Sequence, residues 1–311
     1  MRVQTFLCGI VSRYRNTARG DSMQEFTVPK EIGSISVQQF LRRHCGVSAR
    51  LLAKLKRVEN GIMCKGVKVR SIDILHGGDA VTLRFPQDEG NILPVKLPLH
   101  IVYEDDTVLI LNKPPFMPVH PVRDHQTDTL ANAVMYYAAQ KGEKYTFRAV
   151  NRLDKDTSGL ILAVKNGYSH TFLIQHTQKR YTALCEGELY GSGVIDSPIR
   201  RMEGHTIQRE VSPDGARAVT HYESIEVCCG HTLLSLWLET GRTHEIRTHL
   251  SSIDHPLAGD EMYGGSREIF CRQCLHCEAL RFMHPVLLKE MTVRCPAEDW
   301  LKMLKDFKGR G

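Results

Sequence analysis

A polar, proline-bearing stretch at residues 87–98, QDEGNILPVKLP, constrains the fold of this chain more than any other feature. Proline lacks a backbone N–H donor and fixes its φ angle, so neither a helix nor a central strand continues easily through Pro94 and Pro98. The chain has 311 residues, whereas one ordinary domain holds about 100 to 200. We therefore predict two domains, with a linker between them at residues 87–98.

Residues 35–86 carry the pattern of a small α+β domain, preceded by an extension at residues 1–34. Apolar residues recur at helical spacing from Val37, stop at Gly46 and resume after Ser48, which can cap a second helix. A turn at Gly61 is predicted to follow, then a strand at residues 62–69, a turn at residues 77–79 and a strand at residues 81–85. The predicted order is therefore two helices and then strands.

The basic residues of the chain are concentrated in this small domain. Nine lysines and arginines lie between positions 41 and 70 against one acid, Glu59, which gives nine minus one, or +8. The rest of the chain then sums to 6 minus 8, or −2. Such a block is the electrostatic footprint for a polyanionic partner, with RNA or DNA first, although a solvated helix face gives the same pattern. We predict that Arg50, Lys54 and Arg57 bind RNA.

Strands dominate residues 99–311, which we predict to form the larger domain. A near-continuous apolar run over Val108–Leu111 suits a buried strand, and a helix capped by Asp128 or Thr129 is predicted to end at Gly142. Further strands are predicted at residues 160–164, 181–185, 219–222 and 232–238. Because strands and helices do not alternate strictly, the pattern predicts an α+β fold with a large mixed or antiparallel sheet.

The densest cluster of chemically useful side chains is residues 151–160, NRLDKDTSGL, which leads into a predicted strand. Arg152 and Asp154 stand two residues apart in a turn rich in hydrogen-bonding side chains, as expected where a held carboxylate faces a nucleotide. A capped turn, in which Asp154 or Asp156 accepts from backbone N–H groups, explains the same residues. Taken alone, the cluster leaves both interpretations open.

The cluster resembles the signature of the RluA/RluD-type pseudouridine synthases, whose usual form is His-Arg-Leu-Asp-x-x-Thr-Ser-Gly. Other segments match that family in the same order along residues 98–286: Lys113–Pro115, Met117–Pro121, Lys179–Tyr181, Gly241–Arg247, His255–Leu257, Gly259–Asp260 with Tyr263, Leu275–His276, and Phe282 with His284–Pro285. Residues 35–86 resemble the alpha-L RNA-binding domain of ribosomal and RNA-modifying proteins. The resemblance implies a pseudouridine synthase catalytic domain joined to a small RNA-binding domain.

The resemblance also implies three catalytic residues. Asp154 matches the catalytic aspartate, Tyr181 the tyrosine that stacks on the target base and can move a proton, and Arg247 the arginine that pairs with the aspartate. Pseudouridine formation breaks the bond from uracil nitrogen to ribose and rejoins the base through carbon 5. It needs one anionic group beside the ribose, a way to remove the hydrogen on carbon 5, and shelter from water. Whether Asp154 attacks the sugar or abstracts a ribose proton stays open at this point.

Three more residues of the larger domain are predicted to bind the substrate. Arg152 matches a residue that fills the gap left by the extruded nucleotide, and Arg242 and His244 lie in the family's third motif. The chain departs from the family at Asn151, where histidine is usual, and at Glu245, where glutamine is commoner. Asparagine still donates and accepts, so the turn should survive. An ionised glutamate cannot donate, which puts in doubt any contact from residue 245 to a carbonyl oxygen.

The sequence predicts no metal site and no cofactor. Cys271, Cys274 and Cys277 form a Cys-x-x-Cys-x-x-Cys run, but zinc sites usually pair two separated Cys-x-x-Cys knuckles. No apolar run approaches the ~18 residues of a membrane span, and the first eleven residues lack the pattern of a secretory signal. We therefore expect a cytoplasmic protein with reduced cysteines, acting as a monomer without an obligatory protein partner.

The predicted function is the isomerisation of uridine to pseudouridine in structured RNA, with RNA as the partner. An alpha-L domain favours large-subunit ribosomal RNA as the substrate, by analogy. The alternatives are a synthase directed at transfer RNA and a non-catalytic RNA-binding or ribosome-assembly factor on the same fold. A glycosidase ranks last, because glycoside hydrolysis ordinarily needs a pair of carboxylates and Asp156 is the only close companion of Asp154.

Overall fold

The computed structural model describes residues 12–16, 22–85, 91–297 and 300–302 of the chain. Its first seven strands are β1 (Ser12–Asn16), β2 (Ser22–Thr27), β3 (Ser34–Ser36), β4 (Ile62–Cys64), β5 (Val67–Lys68), β6 (Ile74–His76) and β7 (Ala80–Phe85). Five of them form an antiparallel sheet of order β1-β2-β7-β4-β5, and β3 pairs separately with β6. These strands form one layer of a small α+β unit.

The two helices predicted for this unit are present. The first, α1 (Val37–Gln39), continues as a wider π-helical segment at Phe40–His44, and the second, α2, spans Ala49–Arg57. The hydroxyl of Ser48 accepts a hydrogen bond from the backbone N–H of Leu51 at 3.1 Å. This side-chain cap confirms the prediction that Ser48 precedes the second helix.

The small sheet also draws strands from residues 1–34, the range predicted to be an extension. Along its whole length β2 pairs with β7, and β1 pairs with β2. Of the two positions of β2 that are buried among those whose burial is described, Phe26 is apolar and Gln24 is polar. The alternation of apolar and polar residues that announces a strand is therefore weak here. The domain boundaries at residues 35, 87 and 99 stay predictions.

The larger part of the chain is built on a ten-stranded sheet. Its strands and those of a separate hairpin are β8 (Ile101–Glu104), β9 (Val108–Lys113), β10 (Arg148–Ala149), β11 (Ser158–Val164), β12 (Thr177–Glu186), β13 (Ser192–Asp196), β14 (Ile199–Arg201), β15 (Arg209–Val211), β16 (Val219–Cys228), β17 (His231–Leu238), β18 (Leu275–Met283) and β19 (Glu290–Arg294). The order is β13-β16-β17-β12-β18-β11-β9-β8, with β10 beside β11, β19 beside β18, and β14 paired with β15. Among the described strands, β11 and β18 form the single parallel pair. The predicted α+β fold with a mixed sheet is confirmed.

The helices that accompany this sheet include α3 (Leu130–Gln140), α4 (Gly167–Gln175) and α5 (Glu245–Ser251). The first was predicted, and Thr129 caps it through a reciprocal bond pair with Asn132. The other two were not predicted. Since α5 is buried at all but its last residue, it shows no polar face, and α4 mixes apolar and polar side chains around its circumference. No helix in the described ranges is long and apolar enough to cross a membrane.

Helix α4 joins the small unit to the large sheet. The Tyr168 hydroxyl donates to the Cys45 carbonyl oxygen at 3.0 Å, and the Tyr168 ring packs against those of Phe26 and Phe85 at centroid distances of 5.3 and 6.4 Å. The ring of Phe172 lies against Gly46, where a Cβ would be 3.4 Å away. The two parts therefore share a continuous apolar contact in addition to the chain that links them.

Candidate active site

Asp154 lies in a tight turn between β10 and β11, where the N–H of Thr157 donates to its carbonyl oxygen at 3.2 Å. Asn151 fastens the start of this turn to β11. Its amide nitrogen donates to the Leu160 carbonyl oxygen at 2.9 Å, and its amide oxygen accepts from the Leu162 N–H at 2.8 Å. Both halves of the amide are used, so the turn survives with asparagine at position 151, as predicted.

Gly159 sets the path by which β11 leaves this turn. Its φ angle is +113°, which L side chains rarely adopt, and a Cβ there would lie 2.5 Å from the carbonyl oxygen of Cys277 on β18. Gly159 and Cys277 are also direct partners in the parallel ladder. Because only glycine permits this close approach, β11 can pair directly with β18 as it leaves the turn that carries Asp154.

Lys113, the last residue of β9, ties the same turn to a neighbouring loop. Its side chain is fully buried, and the ammonium group donates to the carbonyl oxygens of Pro114, Met117 and Lys155 at 2.8, 2.8 and 2.9 Å. Burial lowers the pKa of Lys113 to about 7, whereas three carbonyl acceptors favour the charged form. Since Lys155 directly follows Asp154, these bonds hold the backbone beside the candidate carboxylate.

Arg247, on α5, connects Asp154 to a second carboxylate. Its guanidinium donates to Asp154 Oδ2 at 3.0 Å and forms a bidentate pair with Asp260 at 2.6 and 2.7 Å. The side chains of Arg247 and Asp260 are 7% and 1% exposed. Burial alone lowers the pKa of Arg247, but the bonds and charges of Asp260 and Asp154 raise the pKa above its ordinary value. The Tyr263 ring lies 4.8 Å from the guanidinium carbon and adds a cation–π contact.

Asp260 was missed as a functional residue by sequence reasoning. The segment Gly259–Asp260 was noticed only as part of a family pattern. Gly259 has a φ of +79°, and a Cβ there would lie 1.9 Å from the Arg272 carbonyl oxygen. A glycine that no other residue can replace, placed directly before an aspartate, is the signal that could have identified Asp260. It indicates that the backbone there sets the direction of the carboxylate.

Tyr181 lies on β12, between β17 and β18, and is 5% exposed. Burial raises its pKa well above the ordinary value for a phenol, and the nearby Cys277, Asp154 and Glu245 raise it further. The phenol is therefore neutral at physiological pH. A β-bulge opposite β18 falls between Arg180 and Tyr181 and changes the strand register at this point.

One small pocket collects these side chains. It is lined by Arg152, Leu153, Asp154, Thr157, Tyr181, Leu238, Arg242, His244, Glu245, Ile246, Arg247 and Leu275. All six site residues predicted for the larger domain are among them, although they come from three segments far apart in sequence: the turn before β11, β12, and α5 with the loop that leads into it.

The pocket is narrow in this structure. Its cavity volume is about 60 Å³. The exposed Arg152 reaches from one wall to the other, where its guanidinium nitrogen lies 3.5 Å from the Thr243 hydroxyl. Arg152 therefore bridges the turn that carries Asp154 and the loop that leads into α5.

Glu245 has a structural role that needs no donor. It is 2% exposed, and its carboxylate accepts from the backbone N–H groups of Arg242 and Val219 at 2.5 and 3.2 Å and from the hydroxyl of Thr240. An ionised glutamate cannot donate a hydrogen bond, but these contacts do not require it to, because all three partners are donors. Glu245 thus fixes the loop that places Arg242 and the residues after it.

The three predicted RNA-binding residues of the small unit lie elsewhere. Arg50, Lys54 and Arg57 are exposed on α2 and are spaced at i, i+4 and i+7, so they share one face of the helix, while Leu52 and Leu55 are buried. None of the three lines the pocket. The structure therefore presents a basic helix face separate from the candidate active site.

The cysteine run does not form a metal centre within the described residues. Cys274 and Cys277 are buried and Cys271 is exposed, and no group of three or more metal-ligating side chains occurs in those parts of the chain. The neighbouring His276 is occupied by hydrogen bonds with the Ser158 hydroxyl at 2.8 Å and the Cys295 carbonyl oxygen at 2.7 Å. These contacts are those of packing and strand pairing.

Comparisons with known proteins point to one family. Residues 107–252 match the family model described as RNA pseudouridylate synthase. The chain is 37% identical over 272 residues to an uncharacterized RNA pseudouridine synthase, YjbO, of Bacillus subtilis, covering 84% of this chain and 95% of that protein. It is 35% identical over 308 residues to the ribosomal large subunit pseudouridine synthase D of Pseudomonas aeruginosa, covering 89% and 93%.

A solved structure has the same fold. The human RNA pseudouridylate synthase domain containing 1 superimposes with a TM-score of 0.53 at 24% identity, over 68% of this chain and 86% of that one. At that identity the likeness concerns the fold alone.

Proposed function

The chain belongs to the RNA pseudouridylate synthase family and is an RNA pseudouridine synthase, and on that premise we propose that it modifies large-subunit ribosomal RNA with Asp154 as the essential carboxylate. The observation that carries the proposal is the arrangement of one pocket, in which Arg247 holds Asp154 at 3.0 Å beside the buried ring of Tyr181. A charged carboxylate, a cation that stabilises it and a flat aromatic wall are what a cofactor-free isomerisation of a nucleotide needs.

Asp154 acts as the anion next to the ribose. A carboxylate in a closing pocket tends to take up a proton through loss of water, and a guanidinium at hydrogen-bond distance opposes that tendency. Arg247 also forms an ion pair with a second carboxylate, Asp260. The guanidinium of Arg247 therefore lies where it can stabilise a negative charge on Asp154.

Tyr181 supports the base. Its ring offers an apolar face against which uracil can stack, and the raised pKa keeps its hydroxyl protonated. In the free enzyme it therefore serves as a hydrogen-bond donor rather than as a base. The detached uracil must rotate before it rejoins through carbon 5, and a stacking surface permits rotation within the ring plane while excluding water.

The target uridine reaches this pocket by leaving its stack. Extrusion of a base costs a few kcal/mol, least in loops and mismatches, and phosphate contacts elsewhere can offset that cost. Arg152, which spans the pocket entrance, moves away as the base enters. The basic face of α2 provides phosphate contacts outside the pocket. The enzyme works in this scheme as a monomer and without a cofactor.

Large-subunit ribosomal RNA is the proposed substrate because a relative of matched length carries that substrate in its name. The test uses large-subunit ribosomal RNA and transfer RNA from cells lacking this protein, each labelled with tritium at carbon 5 of uridine. We expect stoichiometric tritium release from the ribosomal RNA and none from transfer RNA. Release from transfer RNA alone would replace the proposed substrate, and release of free uracil would indicate a glycosidase.

A second prediction concerns the basic face formed by Arg50, Lys54 and Arg57. Replacing Arg50 or Arg57 by glutamine should weaken RNA binding at all sequences and lower the slope of log affinity against log salt by about one unit per lost phosphate contact. Binding measured at four salt concentrations tests this expectation. Lys289→Gln, at an exposed lysine of the larger domain, is the matched control. Identical slopes for Arg50→Gln and wild type would remove α2 from the RNA interface.

A further inference from the structure

We infer that His244 is a positioning residue that holds one oxygen of Asp154, and that Tyr263 fixes its imidazole with the proton on Nε2. The inference rests on the proposed role of Asp154 and deepens it. His244 lies at the start of α5 with a φ of +58°, in the left-handed region that a non-glycine residue seldom occupies. Such a conformation persists where surrounding contacts determine it, and it often accompanies a functional role.

A chain of two hydrogen bonds sets the tautomer of His244. The backbone N–H of Arg209 donates to the Tyr263 hydroxyl oxygen at 2.9 Å, and that hydroxyl lies 2.8 Å from His244 Nδ1. The hydroxyl oxygen accepts from Arg209, and its own hydrogen can go to Nδ1 or to the nearby Thr248 side chain. We assign it to Nδ1, because the carboxylate of Asp154 at the other end of the ring favours a hydrogen on Nε2. An imidazole that accepts at Nδ1 carries its hydrogen on Nε2.

The other end of the imidazole selects the same tautomer. His244 Nε2 lies 3.7 Å from Asp154 Oδ2, the oxygen that also accepts from Arg247 at 3.0 Å. An N–H at Nε2 points a positive hydrogen toward this carboxylate, whereas the other tautomer would turn a lone pair toward it. The distance is slightly longer than a hydrogen bond, and such contacts often shorten when substrate fills a catalytic site.

Charge and burial keep this imidazole neutral. Burial lowers the pKa of His244 below its ordinary value, as do Arg247 and Arg209, while the carboxylates of Asp154 and Asp260 act in the opposite direction. The side chain is 10% exposed. A neutral donor restrains Asp154 without cancelling its charge. With Arg247 and His244 both directed at Oδ2, Oδ1 is left for the ribose.

Tyr263→Phe tests the inference, because it removes the hydroxyl that fixes the tautomer and leaves the ring. We expect kcat for pseudouridine formation to fall about tenfold at pH 8, the effect of losing one hydrogen bond to a charged group, with KM unchanged. Protonated histidine carries hydrogens on both nitrogens, and because the pKa of His244 is lowered by burial, kcat of the variant should be restored only as the pH falls from about 6.5 to 5. The wild-type kcat should be flat across that range.

Substitutions at position 244 separate positioning from packing. His244→Gln places an amide N–H near the site of Nε2–H and should keep kcat within about threefold of wild type, whereas His244→Leu, of similar bulk, should lose about tenfold. Tyr190→Phe, which removes an exposed hydroxyl bonded to Glu188, is the control and should behave as wild type. Thermal unfolding of each variant reports whether it folds.

Two results would overturn the inference. One is a Tyr263→Phe enzyme whose kcat equals wild type with a flat pH profile, and the other is His244→Gln as slow as His244→Leu. Both leave the proposed function intact if Asp154→Asn is inactive in the same assay. Full activity of Asp154→Asn would instead overturn the proposed role of Asp154 and this inference together.

Discussion

Replacing Asp154 by asparagine should abolish pseudouridine formation, lowering kcat/KM by about a thousandfold or more. Asparagine has the same shape as aspartate but lacks the charge and the nucleophilic or basic oxygen that either route through the ribose requires. Arg247 retains its bidentate partner Asp260 in this variant, so the buried guanidinium is not left unpaired. Tritium release from carbon 5 of uridine, measured under single-turnover conditions, gives the rate.

The matched control lies two residues along the same turn. Asp156→Asn removes a carboxylate of the same turn, but Asp156 does not line the pocket. We expect its kcat/KM to stay within about twofold of wild type, since a substitution outside the pocket that breaks no buried contact has small effects. RNA affinity of both variants should match wild type. Equal loss in both would indicate a paired-carboxylate mechanism, and turnover by Asp154→Asn at the wild-type rate would exclude Asp154 as the essential group.

Sequence reasoning located the candidate site because its chemistry is local to short motifs. Asp154, Tyr181 and Arg247 each stand in a segment that matches the resembled family in order along the chain, and the structure brings them to one pocket. Periodicity alone would have left Tyr181 as a core residue, because a tyrosine on a strand is usually that. The resemblance therefore supplied the site, and the residue pattern supplied most of the strands.

What the sequence could not supply depends on contacts between distant residues. The acceptor role of Glu245 follows from donors at residues 219, 240 and 242, and no local pattern announces them. Likewise, the buried ammonium of Lys113 is satisfied by carbonyl groups that only the folded loop gathers. Helix α5 escaped prediction for a related reason. A helix buried on nearly all sides has no amphipathic period to detect.

Asp260 is where the second large effect is expected. Asp260→Asn leaves the charge of Arg247 buried with only the partly exposed Asp154 as a counter-ion. Removing one partner of a buried ion pair costs about 3 to 5 kcal/mol in the free energy of unfolding. Arg247 is then free to turn away from Asp154. Because displacing a catalytic group lowers the rate, we also expect kcat to fall by about ten- to a hundredfold. Urea unfolding and tritium release measure the two effects.

A double variant separates stability from catalysis at this pair. In Arg247→Met with Asp260→Asn no unpaired guanidinium remains, and a buried ion pair can often be replaced by apolar or neutral groups with little loss of stability. We therefore expect the free energy of unfolding to recover by about 2 kcal/mol relative to Asp260→Asn, while kcat stays at or below that of Asp260→Asn because Asp154 has no guanidinium. Recovery of activity along with stability would mean that Asp260 and Arg247 only hold the fold. Recovery of stability alone would mean that Arg247 is needed beside Asp154 for catalysis. The role of Asp260 would then be to hold Arg247 in position.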